Sequence, residues 1–485
     1  MLLALLLVAA PSTVFVAPFA CKDEAPKWAG VAVAESILDS IVQANQDNFL
    51  TLKQLDAVLR RRDLRLDDPR VPQQAQELGK TLGATDVITG ELWQRGDGYV
   101  LEAKRLSVAD GSVVKTAKAD GSKGALPVIA QKLARELMGN IEATPNALTA
   151  SEKALEAAAR CEIELARQSL GAHSAMTLSE EKLASAEKSC KAALSADSKL
   201  GLARAGLAVT MAVRGKFPEA RKEAQRARKE RFVPLAVLAE AFAARKMKDT
   251  TAWRAILQNA VDERPGFLHA LGYLAEDRME AGEDKEALEL FERYLQRSPG
   301  HTWAMGKKAR ELAKLKQFDE AIELSEKALS LNAGDPELLI ETASRYIDAG
   351  RDPRAEPLLK QAMAATPPRP LAALRLGYLY IRGHKLPQAR QALEQCVKMA
   401  TREDEARTRG IAHADMARID ARQNKYPEAV AELQSARAEG NNHIPCDEPE
   451  LARWKDRPEL NRVCVEAAAA AADEHTDEDA IPVDL

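Results

Sequence analysis

The residues that could carry out chemistry are few in this chain, and their spacing matches no catalytic or metal-binding pattern. No histidine lies four residues from another with a nearby carboxylate, which is the arrangement that a helical zinc site needs. The chain also lacks a G-x-S-x-G nucleophile turn, a phosphate-binding G-x-x-x-x-G-K segment and a dinucleotide-binding glycine pattern. We therefore predict no catalytic, cofactor-binding or metal-binding residues and a protein that is not an enzyme. The histidines are His173, His269, His301, His384, His413, His443 and His475.

Six cysteines are the other reactive side chains. Four of them flank predicted turns in pairs, and residues equidistant from such a turn face each other. We predict that each pair forms a disulfide, with buried free thiols as the alternative: Cys161 with Cys190, and Cys446 with Cys464. Cys396 falls at a small buried repeat position and is expected to be structural. Paired cysteines are typical of an oxidising compartment.

Residues 1–10 form an apolar run of signal-peptide length, which is too short to cross a bilayer as a helix. We therefore expect an exported, periplasmic protein. One form of this expectation is that the protein associates with the outer membrane. Cys21 follows Pro18-Phe19-Ala20, which lacks the leucine of a lipobox. The sequence thus disfavours a lipid anchor at Cys21 and favours a protein that is peripheral to the membrane at most.

Small residues recur at a spacing of 34 residues over most of the chain, as in Ala287, Ala321 and Ala355. A second series of small residues, including Ala309 and Ala343, precedes the first by twelve positions. Two small positions per period, one on each of two helices, are typical of a helical repeat array. Trp253 stands where a small residue is expected and predicts a wider or shifted helix spacing in its repeat.

These repeats resemble the tetratricopeptide repeat family, in which small residues let two helices approach closely and a proline ends the second helix. The repeat that starts at Pro336 matches at Ala343, Tyr346, Gly350, Ala355, Leu359, Ala362 and Pro367. The resemblance implies about eight repeats in residues 151–440, stacked as an all-α superhelical solenoid. Residues 399–409 are a charged insertion that we expect to extend a helix. Residues 441–472 are predicted to be a helical cap, and residues 473–485 an acidic disordered tail.

Residues 11–139 show strand and helix patterns in the order βαβααβββα, which predicts a small α/β domain. Residues 78–90 (LGKTLGATDVITG) resemble the N-terminal domain of TolB N-terminal-like, FlgO-like and CsgG-like proteins of the bacterial envelope. The resemblance implies that Gly83 ends a helix and that Gly90 allows a neighbouring backbone segment to approach closely. Residues 140–150 are a predicted linker. The fold class is therefore α+β overall, with a small α/β domain before an all-α solenoid.

The tetratricopeptide resemblance also indicates which side chains would face a partner, because the first helix of each repeat lines the concave wall. A mixture of basic and aromatic residues there suits an extended peptide of acidic character. The candidates for this peptide groove are His269, Trp303, Arg310, Lys314, Tyr378, Ile381, Arg382, Arg418 and Arg422.

The chain carries 69 basic and 73 acidic residues, a net charge of -4, which argues against nucleic acid as a partner. We expect a non-enzymatic envelope scaffold without a cofactor, whose partners are other proteins. The repeat groove would bind a partner peptide or protein, and the N-terminal domain would dock a second envelope component. The alternative is a sensory or regulatory module whose N-terminal domain binds a small ligand or a cell-wall fragment.

Overall fold

A computed structural model of the chain describes residues 12–45, 47–62, 64–139, 147–166, 178–366, 369–402, 405–442 and 444–477. The expected signal peptide, most of the expected linker and residues 478–485 of the expected tail lie outside the described residues. Two compact units make up the chain, the first ending at Ala304 and the second starting at Met305. The first unit contains the N-terminal domain and the early repeats.

The described part of the N-terminal domain contains a six-stranded sheet in the order β3-β1-β4-β5-β6, with β2 also beside β4. β1 runs parallel to β3 and β4, and β4, β5 and β6 form an antiparallel meander. The strands are β1 Thr13–Val16, β2 Ala20–Lys22, β3 Asn48–Phe49, β4 Asp86–Arg95, β5 Gly98–Ser107 and β6 Val113–Ser122. The helices are α1 Lys27–Ala44, α2 Leu52–Arg61, α3 Ala75–Thr81 and α4 Leu126–Met138.

Glycines fix two close approaches in this domain. Gly83 has φ +69° just beyond the end of α3, as the sequence predicts. A Cβ atom at Gly90 would lie 2.4 Å from the carbonyl oxygen of Glu102 on β5, so only glycine fits there. The order expected from the sequence has one strand before the first helix, whereas the structure has two, β1 and β2. Between them the Phe19 N–H donates to the carbonyl of Gly30 at 3.1 Å and not to a neighbouring strand.

The repeat region is a series of helix pairs, as the 34-residue pattern predicts. Within the described residues, sixteen consecutive helices make eight pairs, from α5 to α20. In the first unit these are α5 Glu152–Leu165, α6 Glu180–Ala196, α7 Gly201–Val213, α8 Phe217–Ala227, α9 Pro234–Lys246, α10 Thr250–Glu263, α11 Leu268–Glu280 and α12 Asp284–Arg297. α13 Thr302–Lys314 begins in the first unit, and the second continues with α14 Phe318–Leu331, α15 Pro336–Asp348, α16 Asp352–Met363, α17 Pro370–Arg382, α18 Leu386–Met399, α19 Ala406–Arg422 and α20 Tyr426–Ala438.

The recurring small residues lie at the contacts between the helices of each pair. Ala287, Ala321 and Ala355 on second helices are fully buried, as are Ala309 and Ala343 on first helices. A larger side chain at these positions would force the helices apart. Trp253 is also buried, with its ring 5.9 Å from that of Tyr273 on the following helix.

Two features differ from a uniform array. Of the insertion at residues 399–409, residues 406–409 form the start of α19, which has 17 residues where α17 has 13. After α20, the helices α21 Pro449–Ala452 and α22 Pro458–Asp477 cover the last repeat. Leu451, Trp454 and Leu460 pack there against the apolar side of α19 and α20. α22 reaches Asp477, beyond the point where the acidic tail was expected to start.

Both predicted cysteine pairs are joined in the structure. Cys161 of α5 and Cys190 of α6 are bonded across a Cα–Cα distance of 5.3 Å. Cys446 and Cys464 are bonded across a Cα–Cα distance of 6.0 Å, and this bond links two segments of the cap. Most of the predicted turn between α5 and α6 lies outside the described residues. No helix in the described part of the chain combines the length and the apolar composition needed to cross a membrane.

Candidate functional site

The N-terminal domain packs directly on the early repeats inside the first unit. α1 runs along α5, and the apolar residues of both helices belong to one continuous core. The rings of Phe49 on β3 and Phe267 before α11 stack with their centroids 5.4 Å apart. The Phe49 N–H donates to the carbonyl of Gly266 at 3.2 Å, so the repeat backbone extends the sheet next to β3.

Polar contacts fix the position of the domain on the repeats. The Asn48 side-chain amide donates to the carbonyl of Arg297 at 2.7 Å, and the Arg297 guanidinium donates back to the Asn48 side-chain oxygen at 3.0 Å. Ser298 donates to the carbonyl of Gly83 at 3.2 Å. On the other side of the domain, Arg231 pairs with Asp39 of α1 at 2.5 Å. On the repeat side, these contacts come from the last residue of α12 and from connections between repeats, where backbone and polar groups are available.

His269 was predicted to face a peptide groove, and the structure instead places it beneath the N-terminal domain. Its side chain is buried, and its Nδ1 lies 3.0 Å from the hydroxyl of Thr51. Burial, with a smaller effect of the Lys53 charge, lowers the pKa of His269 to about 3. The ring is therefore neutral, and in this arrangement it is not available to a partner.

Trp303 is half-buried in a cluster of aromatic rings at the end of the first unit. Its ring centroid lies 5.7 Å from that of Tyr294 and 5.8 Å from that of His301. Burial lowers the pKa of His301 to about 3, so this ring is also neutral. A Cβ at Gly83 would lie 2.7 Å from the Cα of His301, which shows how closely the N-terminal domain covers this cluster. Trp303 is thus mainly a packing residue.

The other groove candidates lie on first helices of the second unit. The side chains of α17 that reach solvent form a single row, with the spacing of one helix face. Leu371 is 37% exposed and Tyr378 is 40% exposed, and Arg375 and Arg382 lie in the same row. The Arg382 guanidinium lies 6.0 Å from the centre of the Tyr378 ring. Ile381 falls outside this row and is buried, so it contributes packing and not a contact surface.

Arginines on neighbouring first helices extend the α17 row into a larger basic surface. Burial lowers the pKa of Arg345 on α15, and the charges of Arg310 on α13 and Arg375 on α17 lower it further, against the opposing effects of Asp348 and Glu341. The charges of Arg310 and Arg375 therefore both act on Arg345. We call this surface the basic face; it consists of Arg310, Arg345, Arg375, Tyr378, Arg382, Arg418 and Arg422.

Acidic side chains compensate part of this charge. Burial raises the pKa of Glu341 on α15, and the nearby Lys307 and Arg345 oppose that shift. Burial likewise raises the pKa of Asp415 on α19, against the effect of Arg418. Arg375 is exposed and has no ion pair or hydrogen-bond partner among the described residues. The centre of the basic face therefore has an arginine available for an external carboxylate.

The C-terminal cap shows how the α19 end of this face binds acidic groups. Arg418 pairs with Glu448 and with Asp415 of its own helix. Arg422 donates to Glu450 at 2.9 Å and to the carbonyl of Ile381 at 3.2 Å. These two predicted groove residues are thus already occupied by acidic residues of the chain itself. Lys314 is exposed at the end of α13 and pairs with Glu311 at 3.2 Å.

Sequence reasoning missed Arg345 and Arg375 because it used only the usual groove positions of the repeat. The signal that could have identified Arg375 is its spacing of four residues from Leu371 and three from Tyr378, which places all three on one side of a helix. No local sequence pattern predicts that the N-terminal domain covers the early repeats. Thr51 and His269, which are in contact, are 218 residues apart in the chain.

The side chains of this arrangement are suited to binding. In the part of the chain that the structure describes, no three His, Cys, Asp or Glu side chains are grouped so that they could hold a metal ion. Cys396 is buried, and burial raises the pKa of its thiol to about 12, so the reactive thiolate is not populated. Guanidinium groups, an aromatic ring and an exposed leucine are suited to recognition of a protein segment.

A family model described as tetratricopeptide repeat matches residues 278–339 and residues 312–367. These residues, from α11 to the end of α16, are tetratricopeptide repeats. Repeats of this family generally act as scaffolds for protein–protein interactions and are typically not enzymatic. The helix pairs on either side have the same arrangement, so the region is a solenoid of the tetratricopeptide type. No curated protein matches the chain in sequence.

The chain is similar to several solved structures at low sequence identity. A tetratricopeptide repeat protein from Parabacteroides merdae is 15% identical with a TM-score of 0.37, over 60% of this chain and 93% of the other. Yeast Tom70 is 14% identical with a TM-score of 0.44, over 68% of this chain and 66% of the other. PilF of Pseudomonas aeruginosa is 16% identical with a TM-score of 0.35, over 42% of this chain and 92% of the other.

Proposed function

We propose that this protein is a non-enzymatic scaffold of the bacterial cell envelope that holds an acidic segment of a partner protein on the basic face. The observation that carries this proposal is the row on α17, where Leu371, Arg375 and Tyr378 are exposed side by side. Exposed aromatic and arginine side chains in one patch are the residue types that contribute most to protein binding.

The acidic character of the partner is argued from charge complementarity. Arg418 and Arg422 already bind Glu448 and Glu450, which belong to a short segment that enters the cap. Arg375 on the neighbouring first helix presents the same chemistry to solvent, whereas Arg382 donates to the carbonyl of Ile347 at 2.9 Å and lies 3.7 Å from Asp352. A partner segment would pair its carboxylates with the arginines and pack an apolar residue against Tyr378 and Leu371. Such a segment would contact both the charged and the apolar side chains of the row.

The N-terminal domain would dock a second component of the envelope, in keeping with its resemblance to TolB N-terminal-like, FlgO-like and CsgG-like domains. One side of this domain is taken up by the early repeats. Among the described residues, β6 pairs only with β5, so its outer edge is available for a further strand. Val113 and Val114 at the start of β6 are more than half exposed, at 53% and 54%.

An exported, periplasmic location is part of the proposal, with the protein at the membrane surface at most. The two disulfides support it, because such bonds persist in oxidising compartments and are rare in the cytosol. Cys21 forms part of β2, and its thiol contacts the carbonyl of Pro26 at 3.3 Å. Its place in a sheet strand agrees with a role in packing and not with a lipid anchor.

Site-specific photo-crosslinking in intact cells tests the proposed binding face. A photoreactive amino acid in place of Tyr378 is expected to capture one defined partner protein, whose captured peptide is rich in Asp and Glu. The same amino acid in place of Val465, which is 60% exposed on α22, serves as the matched control and should not capture it. Capture of the same proteins at both positions, or of none at position 378, would contradict the proposal.

A further inference from the structure

Two buried carboxyl groups meet where the N-terminal domain contacts the first repeat. Glu35 lies on α1 of the N-terminal domain, and Glu162 lies on α5 of the first repeat. Both side chains are buried and line the same small cavity, which places their carboxyl groups close together. Two ionised carboxylates repel each other at such a site, so a proton on one of them stabilises the pair.

The surroundings of this pair do little to stabilise two negative charges. The residues around it on α7, α9 and the loop before α9 are apolar, and the adjoining cavity of about 40 Å³ has room for only a few water molecules. Glu162 Oε2 is buried without a hydrogen-bond partner among the described residues. Lys53 on α2 favours the charged form of Glu162, while Asp56 on the same helix disfavours it. Asp39, one turn along α1 from Glu35, is paired with Arg231.

We propose that Glu35 and Glu162 form a proton-dependent latch, in which one shared proton holds the N-terminal domain on the repeats and its loss weakens the docking. Glu162 faces Lys53 and carries the negative charge, and Glu35 carries the proton and donates it to Glu162. Removal of that proton places two adjacent negative charges in an apolar surrounding, and separation of the domain from α5 returns both groups to water.

The direction of the pH dependence follows from the shifted groups. Burial raises the pKa of Glu162 to about 7, and burial together with the Glu162 charge raises that of Glu35 well above its ordinary value. Carboxyl groups exposed to water ionise near pH 4.5, so the docked form binds an extra proton above that pH. Docking is thus strongest below about pH 4.5 and weakens as the pH rises to 7 and beyond.

Buried histidines at the same interface act in the opposite direction. The pKa values of His269 and His301 are both lowered to about 3 by burial, so the docked form excludes a proton from each ring. Acidification below about pH 6.5 therefore opposes docking through these two residues. The pH dependence of the latch is isolated by comparing variants of the glutamate pair with the wild-type chain, since the histidines are common to both.

Hydrogen–deuterium exchange of the full chain at pH 5 and pH 8, corrected for the intrinsic exchange rate, measures the docking directly. The Phe49 N–H donates to Gly266 across the interface, so its protection reports the docked state. Relative to the Glu35→Gln variant, we expect its protection in the wild-type chain to fall roughly tenfold or more between pH 5 and pH 8. One unit of pKa shift corresponds to a factor of ten, and the histidines contribute equally to both proteins. The β4–β5 amides, which lie within the domain, should keep their protection.

Glu35→Gln replaces the shared proton by a permanent amide donor, so this variant should remain docked at pH 8. Only the histidines and Asp39, whose pKa burial raises to about 6, should then change its Phe49 protection between the two pH values. Glu136→Gln, an exposed change on α4, serves as the control and should behave like the wild-type chain. Equal changes of Phe49 protection with pH in the wild-type chain and in Glu35→Gln would overturn the proposal. If Glu35→Gln loses the β4–β5 protection and is therefore misfolded, Glu162→Gln provides the same comparison from the repeat side.

Discussion

At Gly266 the backbone of the repeats packs directly against the backbone of the N-terminal domain. A Cβ at this position would lie 2.5 Å from the carbonyl oxygen of Asp47 and 3.0 Å from the Cα of Asn48. Both are backbone atoms, which cannot move aside as a flexible side chain would. The docking of the domain therefore depends on glycine here, although the φ angle of Gly266 is not in the left-handed region.

Gly266→Ala should lower the free energy of unfolding of the protein by about 1–3 kcal/mol, because an extra methyl group in a packed interface forces backbone shifts. Gly300→Ala is the matched control, since a Cβ there meets nothing within 4 Å. This exposed change should stay within about 0.5 kcal/mol of the wild-type chain. Urea unfolding followed by circular dichroism provides both values, and equal stability of the two variants would contradict the described packing.

His269 gives the interface a sensitivity to acid. Its pKa is lowered to about 3 by burial, so the folded protein loses stability as the pH falls from about 6.5 towards 3. His269→Gln keeps a partner for Thr51 but cannot be protonated, so this variant should lose less stability than the wild-type chain between pH 7 and pH 4.5. The expected difference is about 2 kcal/mol in urea unfolding. An identical loss in both proteins would show that His269 is not neutral and buried in solution.

At the scale of elements, the α5–α6 pair starts the array and is fixed by the Cys161–Cys190 disulfide. Gly206 of α7 packs on this bond, because a Cβ at that position would lie 2.4 Å from the Cys190 sulfur and 2.8 Å from the Cys161 sulfur. The disulfide thus joins the two helices of the first pair and also forms the surface on which the second pair packs.

Replacement of Cys161 and Cys190 together by serine should lower the free energy of unfolding by about 2–4 kcal/mol, because the link closes a loop with a sequence separation of 29 residues. The loss should appear in urea unfolding of the double variant compared with the oxidised wild-type chain. A stability equal to that of the oxidised wild-type chain would mean that this link does not hold the first pair in solution.

The helix pairs and the α/β order could be predicted from the sequence because the signals for both are local. The small residues at Ala321 and Ala355 mark helix contacts within one repeat or between neighbours. The docking of the N-terminal domain could not be predicted, since Thr51 and His269 meet across 218 residues of chain. Of the predicted groove, the exposed Tyr378 lies on the basic face, whereas His269 is covered by a domain whose position no repeat pattern encodes.

At the scale of the whole molecule, the state of the cysteines tests the proposed location. An exported chain with both disulfides leaves only Cys21 and Cys396 as free thiols. Alkylation of the denatured protein, isolated from cells without reductant, should therefore label two cysteines per chain by mass spectrometry. Four or more labelled cysteines would contradict the disulfide assignment and weaken the proposal of an exported protein.

The central claim is that the basic face binds an acidic protein segment, and a charge reversal on α17 tests it most directly. The measurement is the yield of the partner that is cross-linked in cells to the photoreactive amino acid at position 378. Each variant also carries a second substitution, on the first or on the second helix of the same repeat. Arg375→Glu changes the basic face, and Lys398→Glu makes the same charge change at an exposed position of α18. We predict that Arg375→Glu lowers the yield roughly tenfold and that Lys398→Glu leaves it unchanged. Equal yields in the two variants would contradict the account.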